Sequence, residues 1–488
     1  MGAILNVSSK WVYVLALISL ANFFFGFVVL FFERKKPTST LAWLMVLYFV
    51  PVLGYILYIT LSQNIARRKI FRLSPSEERN INEALTAQKD DMENGRFEYV
   101  DELCIKWYDL IRLNQNYAWA YLTEDNKVEL LTDGAEKFRR LQEDMLAAKE
   151  SINIEYFILR PDKLGLGIID ILTRKAMEGL QVRLLLDAMG SRHVKPRHLR
   201  TLRKAGGKVA FFFKPKIFRA DFNLNYRNHR KIVVIDNEIG YVGGFNIGRE
   251  YIGESKKFGG WRDTHLRIEG GAVADLFDRF VLDWRFASGE KMPLKRPKLR
   301  YIDEPGSAAV QIVSSGPDSH REEVKLAYLK MISSAKQSIR IQTPYFIPDD
   351  SIMEGLRSAA MSGVDVRIMI PNQPDHMFVY WVTCQNAASL LEYGVKVYIY
   401  NKGFLHAKTV AVDGEVCSVG SANFDNRSFS LNFECNAIVY NEEFTKCQED
   451  AFDEDIKDSF QLTERIYRSR SPVVKIKESV GRLLSGIL

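Results

Sequence analysis

The chain has 488 residues, a formal net charge of +7 and 47% hydrophobic residues, enough for two or three domains with ample cores. The modest basic excess suits an acidic partner such as nucleic acid or an anionic membrane, without choosing between them. The five cysteines (Cys104, Cys384, Cys417, Cys435 and Cys447) form no CxxC, which excludes a disulfide framework and a thiolate metal site and fits a reducing compartment.

The N-terminus is the first informative stretch. Residues 11–32 and 41–61 carry no charge, and each is close to the length that spans a bilayer as a helix. The first run is too long for a signal peptide, has no small-residue cleavage site, and is followed at once by the second. Residues 1–72 are therefore expected to form a two-helix membrane hairpin, with Pro51 and Gly54 bending the second helix or making it re-entrant. Lys10, Arg67, Arg68, Lys69 and Arg72 flank one side, and Arg34, Lys35 and Lys36 the other, a bias toward a cytoplasmic main body.

Residues 73–117 read as a polar, helical connector. From about residue 118 short apolar strands alternate with amphipathic helices, which predicts an α/β fold with mixed or mostly parallel sheets. The pattern then repeats. SINIEYFIL (151–159) matches SIRIQTPYFI (338–347), QVRLLLD (181–187) matches DVRIMIP (365–371), and HRKIVVID (229–236) matches HAKTVAVD (406–413). GYVGGFN (240–246) matches CSVGSAN (417–423). His229 to His406 and Asn246 to Asn423 are both 177 positions. The expected arrangement is two copies of one domain, 118–290 and 311–468, about a pseudo-twofold axis, with a linker at 291–310 and an amphipathic tail at 469–488.

In a strand, residues i and i+2 share a face, so His229 points with Lys231 and His406 with Lys408. Asp236-Asn237 and Asp413-Gly414 are hairpin turn signals, and Asn246 and Asn423 follow the returning strands. Two facing half-sites would set two imidazoles across a space ringed by two lysines and two carboxamides. That suits a phosphodiester. Lysine and amide donors would hold the non-bridging oxygens, one histidine would attack phosphorus, and the other would protonate the leaving alkoxide. A lone H-x-K is commonplace, but two with matched spacing are not.

The paired H-x-K-x-x-x-x-D segments resemble the motifs of the phospholipase D superfamily. NYRNHRK, YIGESKKFGGWRDTHLRIEG, GFLHAKT, SANFDNRSFSLNFECN and the apolar N-terminus with ERKKPTSTLAW make the whole of 11–488 resemble the bacterial cardiolipin synthases of that superfamily. The resemblance implies a membrane-bound phosphatidyltransferase that joins two phosphatidylglycerol molecules into cardiolipin and releases glycerol. It implies His229, Lys231, Asp236, His406, Lys408 and Asp413 as the catalytic set, although the two aspartates also suit turn capping. His229 is expected as the nucleophile and His406 as the acid and base. Asn246 and Asn423 would bind phosphate. Asp263 would orient His406 and Glu434 would orient His229, each across the repeats. No metal, cofactor or nucleic acid is expected. His193 and His198 lack a partner at ligand spacing.

The weaker signals are Arg227, suited to a lipid phosphate, Arg427 and Ser428, suited to orienting a loop, and Asp375 and His376, suited to an acceptor pocket or a loop cap. The tail 469–488 is read either as an interfacial helix or as one packed on the body, and the linker cations Lys291, Lys295, Arg296, Lys298 and Arg300 as solvated or lipid-facing. The alternatives are a hydrolase of the same superfamily, a non-catalytic membrane scaffold, and a synthase with phosphatidylethanolamine as donor.

Overall fold

The computed structural model describes residues 2–31, 37–50, 52–61, 70–214, 225–294, 308–319, 321–475 and 477–478. The chain divides into two units. One comprises Met1–Ile65, Lys216–Tyr226 and Ser471–Leu488, and the other Ala66–Pro215 and Arg227–Arg470.

In the first unit the helix Gly2–Phe31 contains Val12–Phe31, 20 residues of mean hydropathy 2.5, long and apolar enough to cross a membrane. Almost none of it is buried, and side chains such as Leu17 and Phe23 are exposed. The second apolar stretch is not one continuous helix. It forms two shorter helices, Pro37–Phe49 and Leu53–Leu61, with Val52 between them at φ +69°. A proline at 51 has no N–H for a continuous helical ladder, which accounts for the interruption. Trp43 packs edge-on against Tyr58, with Val29 and Leu47 in the same cluster. Most of the expected tail lies outside the described residues, as do linker residues 295–307.

The second unit holds the repeats, and its long strands form one continuous sheet, beside two short two-stranded ones. The first repeat contributes, in spatial order, Lys208–Phe212, Gln181–Asp187, Ser151–Tyr156, Lys231–Ile235, Ile239–Gly243, His265–Glu269 and Thr123–Leu131. The second contributes Ser459–Leu462, Lys396–Tyr400, Asp365–Pro371, Ser338–Gln342, Thr409–Val412, Val416–Gly420, Asn432–Tyr440 and Ala308–Ser315. Thr123–Leu131 and Ala308–Ser315 pair antiparallel with a register shift between Thr123 and Asn126, and this joins the halves. The sheet is mixed. Along this order, parallel pairs join Ser151–Tyr156, Gln181–Asp187 and Lys208–Phe212 and their counterparts in the second repeat, and the other neighbours are antiparallel.

The reason is local. Asp236 and Asn237 have φ of +53° and +58°, and Asp413 and Gly414 +56° and +69°. Both central residues of each turn are left-handed, the signature of a type I′ hairpin, whose strands must run antiparallel. The central strands are buried on both faces, so Val233, Val234, Val410 and Val412 are fully enclosed.

Two boundaries differ from expectation. The second repeat starts at Ala308, inside the expected linker. The connector is part of a core. Its helices Pro75–Glu93, Leu103–Lys106 and Tyr108–Ala118 place Met92, Leu103, Trp107, Leu110 and Ile111 in one apolar cluster with Tyr328, Ile332 and Ile339 of the second repeat. The Trp107 indole N–H donates to Glu415 at 2.9 Å, and Gln88 donates to the Leu122 carbonyl at 2.8 Å.

Candidate active site

His229 lies just before the buried strand Lys231–Ile235. Asn228 and Arg230 turn the other way: Asn228 donates to Glu155, and Arg230 forms a buried double contact with Asp283 at 2.9 Å. The alternation of an extended strand thus sends His229 and Lys231 to one face. Ahead of them, Arg227–Asn228 adds as a parallel strand to Asn432–Phe433 of the other repeat, and the His229 N–H donates to the Phe433 carbonyl at 3.0 Å. This pairing brings the second repeat's Glu434 to His229: both carboxylate oxygens lie 3.0 Å from its Nδ1. The Ser421 carbonyl lies 3.1 Å from the same nitrogen.

The mirror arrangement serves His406. Phe404–Leu405 adds in parallel to Trp261–Arg262, the His406 N–H donates to the Arg262 carbonyl at 2.7 Å, and Asp263 reaches His406 Nδ1 at 2.5 Å. Each imidazole is therefore gripped by a carboxylate from the opposite repeat. A carboxylate at Nδ1 holds the proton there and leaves Nε2 with its lone pair.

Lys231 Nζ donates to the His229 carbonyl at 2.5 Å. Lys408 Nζ donates to the His406 carbonyl and lies 2.9 Å from His406 Nδ1. Both lysines are buried, and burial lowers them, Lys231 to about 7 and Lys408 to about 8, against the opposing pull of Glu434 and Asp263. Burial also lowers both histidines. Glu434 partly offsets this at His229, and Lys408 adds to it at His406, which falls to about 4. For the two carboxyls burial acts upward, but the facing histidine and lysine outweigh it and hold Glu434 and Asp263 below their ordinary values. At neutral pH the unliganded pair is thus neutral imidazole against carboxylate, the state a nucleophile requires.

Asn246 accepts from the Ile158 N–H at 3.2 Å through Oδ1, and its side chain also hydrogen-bonds Tyr251. Asn423 is buried, its backbone N–H donates to Ser428 Oγ at 3.2 Å, and its Oδ1 has no partner. Ser428 therefore supports the loop of the second motif, as expected.

Asp236 and Asp413 do not join this group. Asp236 accepts from the N–H groups of Lys149, Glu150 and Ser151 at 2.7–2.8 Å. Asp413 does the same for Lys336, Gln337 and Ser338 at 2.7–2.8 Å. They sit in the hairpin turns at the far end of five-residue and shorter strands, and they anchor the start of the neighbouring strand. The expectation of a catalytic role gives way to the capping one.

The site contains residues that motif spacing did not single out. Ser421 Oγ donates to Glu434 at 2.5 Å and Asn432 donates to it at 3.2 Å. Phe157 packs against His229 at 4.9 Å between ring centroids, and Trp261 against His406 at 5.2 Å. Asn432 and Trp261 stand two residues before Glu434 and Asp263, so the rule of shared strand faces could have found them. At Gly244, a Cβ would lie 1.9 Å from Asp263 Oδ1, so glycine leaves the room this carboxylate occupies. Asp375 accepts from the Tyr345 hydroxyl and from the His376 N–H, and its charge acts on Lys408, while the His376 side chain is exposed.

The family model described as "Cardiolipin synthase, PLD-like domain" matches residues 141–258 and again 328–456, and one described as "Phospholipase_D-nuclease N-terminal" matches 12–63. The chain is 48% identical over 477 residues to a cardiolipin synthase of Listeria monocytogenes, covering 98% of this chain and 99% of the relative. It is 46% identical to the major cardiolipin synthase ClsA of Bacillus subtilis, covering 97% and 98%. Among solved structures, the phosphatidylserine synthase of Haemophilus influenzae shares the fold at a TM-score of 0.61 and 17% identity, covering 78% of this chain and 100% of that one.

Proposed function

The chain belongs to the phospholipase D-like cardiolipin synthases, and from that premise we propose that it condenses two phosphatidylglycerol molecules into cardiolipin and glycerol through a phosphatidyl-histidine intermediate. The observation that carries this reading is the crossed pair of contacts, Glu434 to His229 and Asp263 to His406, which makes one site from two repeats.

The donor's phosphodiester enters between the imidazoles. Lys231, Lys408, Asn246 and Asn423 hold its non-bridging oxygens and neutralise the charge that grows on them. That anion also opposes the cationic field that helps to depress His406, and so favours its protonation. His229 Nε2 attacks phosphorus. The bond to the glycerol oxygen breaks, and His406 gives that oxygen its proton. The now neutral His406 takes the proton of a free glycerol hydroxyl on the second phosphatidylglycerol. That oxygen attacks phosphorus, the P–N bond to His229 breaks, and cardiolipin forms. One phosphodiester replaces another, so no nucleotide is consumed.

The apolar N-terminus keeps the enzyme where both substrates are concentrated and competes against water as acceptor. The basic residues Lys10, Arg67, Arg68, Lys69 and Arg72 support a catalytic unit on the cytoplasmic side of the bacterial cell membrane. The test is lipid mass spectrometry after reconstitution with phosphatidylglycerol as the only lipid, with His229→Ala in parallel. Cardiolipin and glycerol from the wild type alone support the assignment. Phosphatidic acid in their place would make the protein a hydrolase, and no turnover would return it to a scaffold or to another donor lipid.

A further inference from the structure

The two half-sites are near copies, yet what flanks them differs. Two positions before His229 stands Arg227, and the corresponding position before His406 is Phe404. Four positions after Asn423 stands Arg427, and four after Asn246 stands Glu250, which is paired with Arg160 at 3.2 Å. Beside the carboxylates, Asn432 precedes Glu434 where Trp261 precedes Asp263. These differences are spatially grouped, because Arg227 lies in register with Asn432 just as Phe404 does with Trp261. The His406 end is therefore aromatic: Phe404 lies 4.9 Å from Trp261 and 5.8 Å from His406. The His229 end is cationic.

Arg227 shares the strand face of His229, and two residues of extended chain advance by about 6.6 Å. Arg427 comes from the other repeat, on the short helix Asn426–Ser430 that Asp425 caps. The Arg427 carbonyl accepts from the Leu431 N–H at 2.8 Å, and the next residue, Asn432, is the one in register with Arg227. Asp187 beside Arg227, and Asp425 and Glu434 beside Arg427, are the carboxylates that act on the pair. Two guanidiniums brought to one end of the site from opposite repeats suit the oxygens of a phosphodiester anion.

The condensation supplies such an anion. Each phosphatidylglycerol brings one phosphate. Only one of the two reacts, and the acceptor's own phosphate stays a glycerol bridge away from the reacting phosphorus. We propose that Arg227 and Arg427 form a second phosphate subsite that binds the acceptor lipid's phosphodiester. This rests on the condensation reading above and adds the determinant that selects an anionic glycerophospholipid over a neutral alcohol as acceptor.

The test compares two reactions of the full-length enzyme in mixed micelles of phosphatidylglycerol. Exchange of labelled free glycerol into phosphatidylglycerol uses the donor site and an acceptor with no phosphate. Cardiolipin formation uses both phosphates. Arg227→Gln and Arg427→Gln, each checked for an unchanged melting curve, should lower cardiolipin formation about ten- to a hundredfold with a raised KM for the acceptor, while glycerol exchange falls far less. The two substitutions lie in different repeats, so either serves if the other fails to fold. Equal loss of both reactions, or no loss in either, overturns the subsite. A wild type that exchanges glycerol but makes no cardiolipin overturns the condensation reading itself.

Discussion

Glu434 of the second repeat lies 3.0 Å from Nδ1 of His229 in the first, and the two are brought together by a two-residue strand, Arg227–Asn228, that crosses to pair with Asn432–Phe433. Neither repeat can therefore orient its own histidine. Glu434→Gln keeps the shape but removes the charge that fixes the proton on Nδ1. The account predicts a loss in kcat on the order of 10²- to 10⁴-fold with the melting temperature preserved. Steady-state assay and calorimetry of the same preparation check both halves.

Asp236 and Asp413 carry the opposite expectation. Each carboxylate holds three backbone N–H groups away from the imidazoles. Asn tolerates the left-handed backbone at 236 while losing charge and one acceptor oxygen. Asp236→Asn should lower stability by roughly 1–3 kcal/mol and leave kcat per folded molecule within a few-fold, as read by denaturant titration and active-site-normalised rates.

The lysines set a pH limit. Burial lowers Lys231 to about 7 and Lys408 to about 8, and a lysine is charged only below its pKa. Phosphate affinity should thus fall as pH rises through that window, and kcat/KM, which reports the free enzyme, should decline above about pH 7. Lys231→Arg places a permanently charged group at the first position. Its residual activity should keep only the step near pH 8.

Gly244 gives a steric test. A Cβ there would meet Asp263 Oδ1 at 1.9 Å, so Gly244→Ala must displace the carboxylate that orients His406. We expect a folded protein with at least about tenfold lower kcat, together with a shifted His406 imidazole resonance in the NMR spectrum.

The local features were legible in the sequence because they are matters of spacing. The duplicated H-x-K, the Asp-Asn and Asp-Gly turns, and Asp263 and Glu434 all appear at the expected places, and the imidazoles meet the carboxylates predicted for them. The chemical role of Asp236 and Asp413 was not legible, since a carboxylate near a histidine in sequence reads the same whether it faces an imidazole or three amides. The joining of the halves through Thr123–Leu131 and Ala308–Ser315, and the burial of Trp107 and Ile111 in the second repeat's core, depend on long-range pairing that periodicity does not encode. The interruption at Val52, by contrast, was legible in Pro51 and Gly54, because a proline has no N–H to continue a helical ladder.

The most direct test of the account is to trap the covalent intermediate. The enzyme would be mixed with phosphatidylglycerol labelled in its phosphate, quenched at alkaline pH where phosphohistidine survives, digested, and read by mass spectrometry. The account predicts label on the peptide that contains His229, and none in the His229→Ala variant. Label on the peptide that contains His406, or continued cardiolipin formation with no labelled peptide, would contradict it.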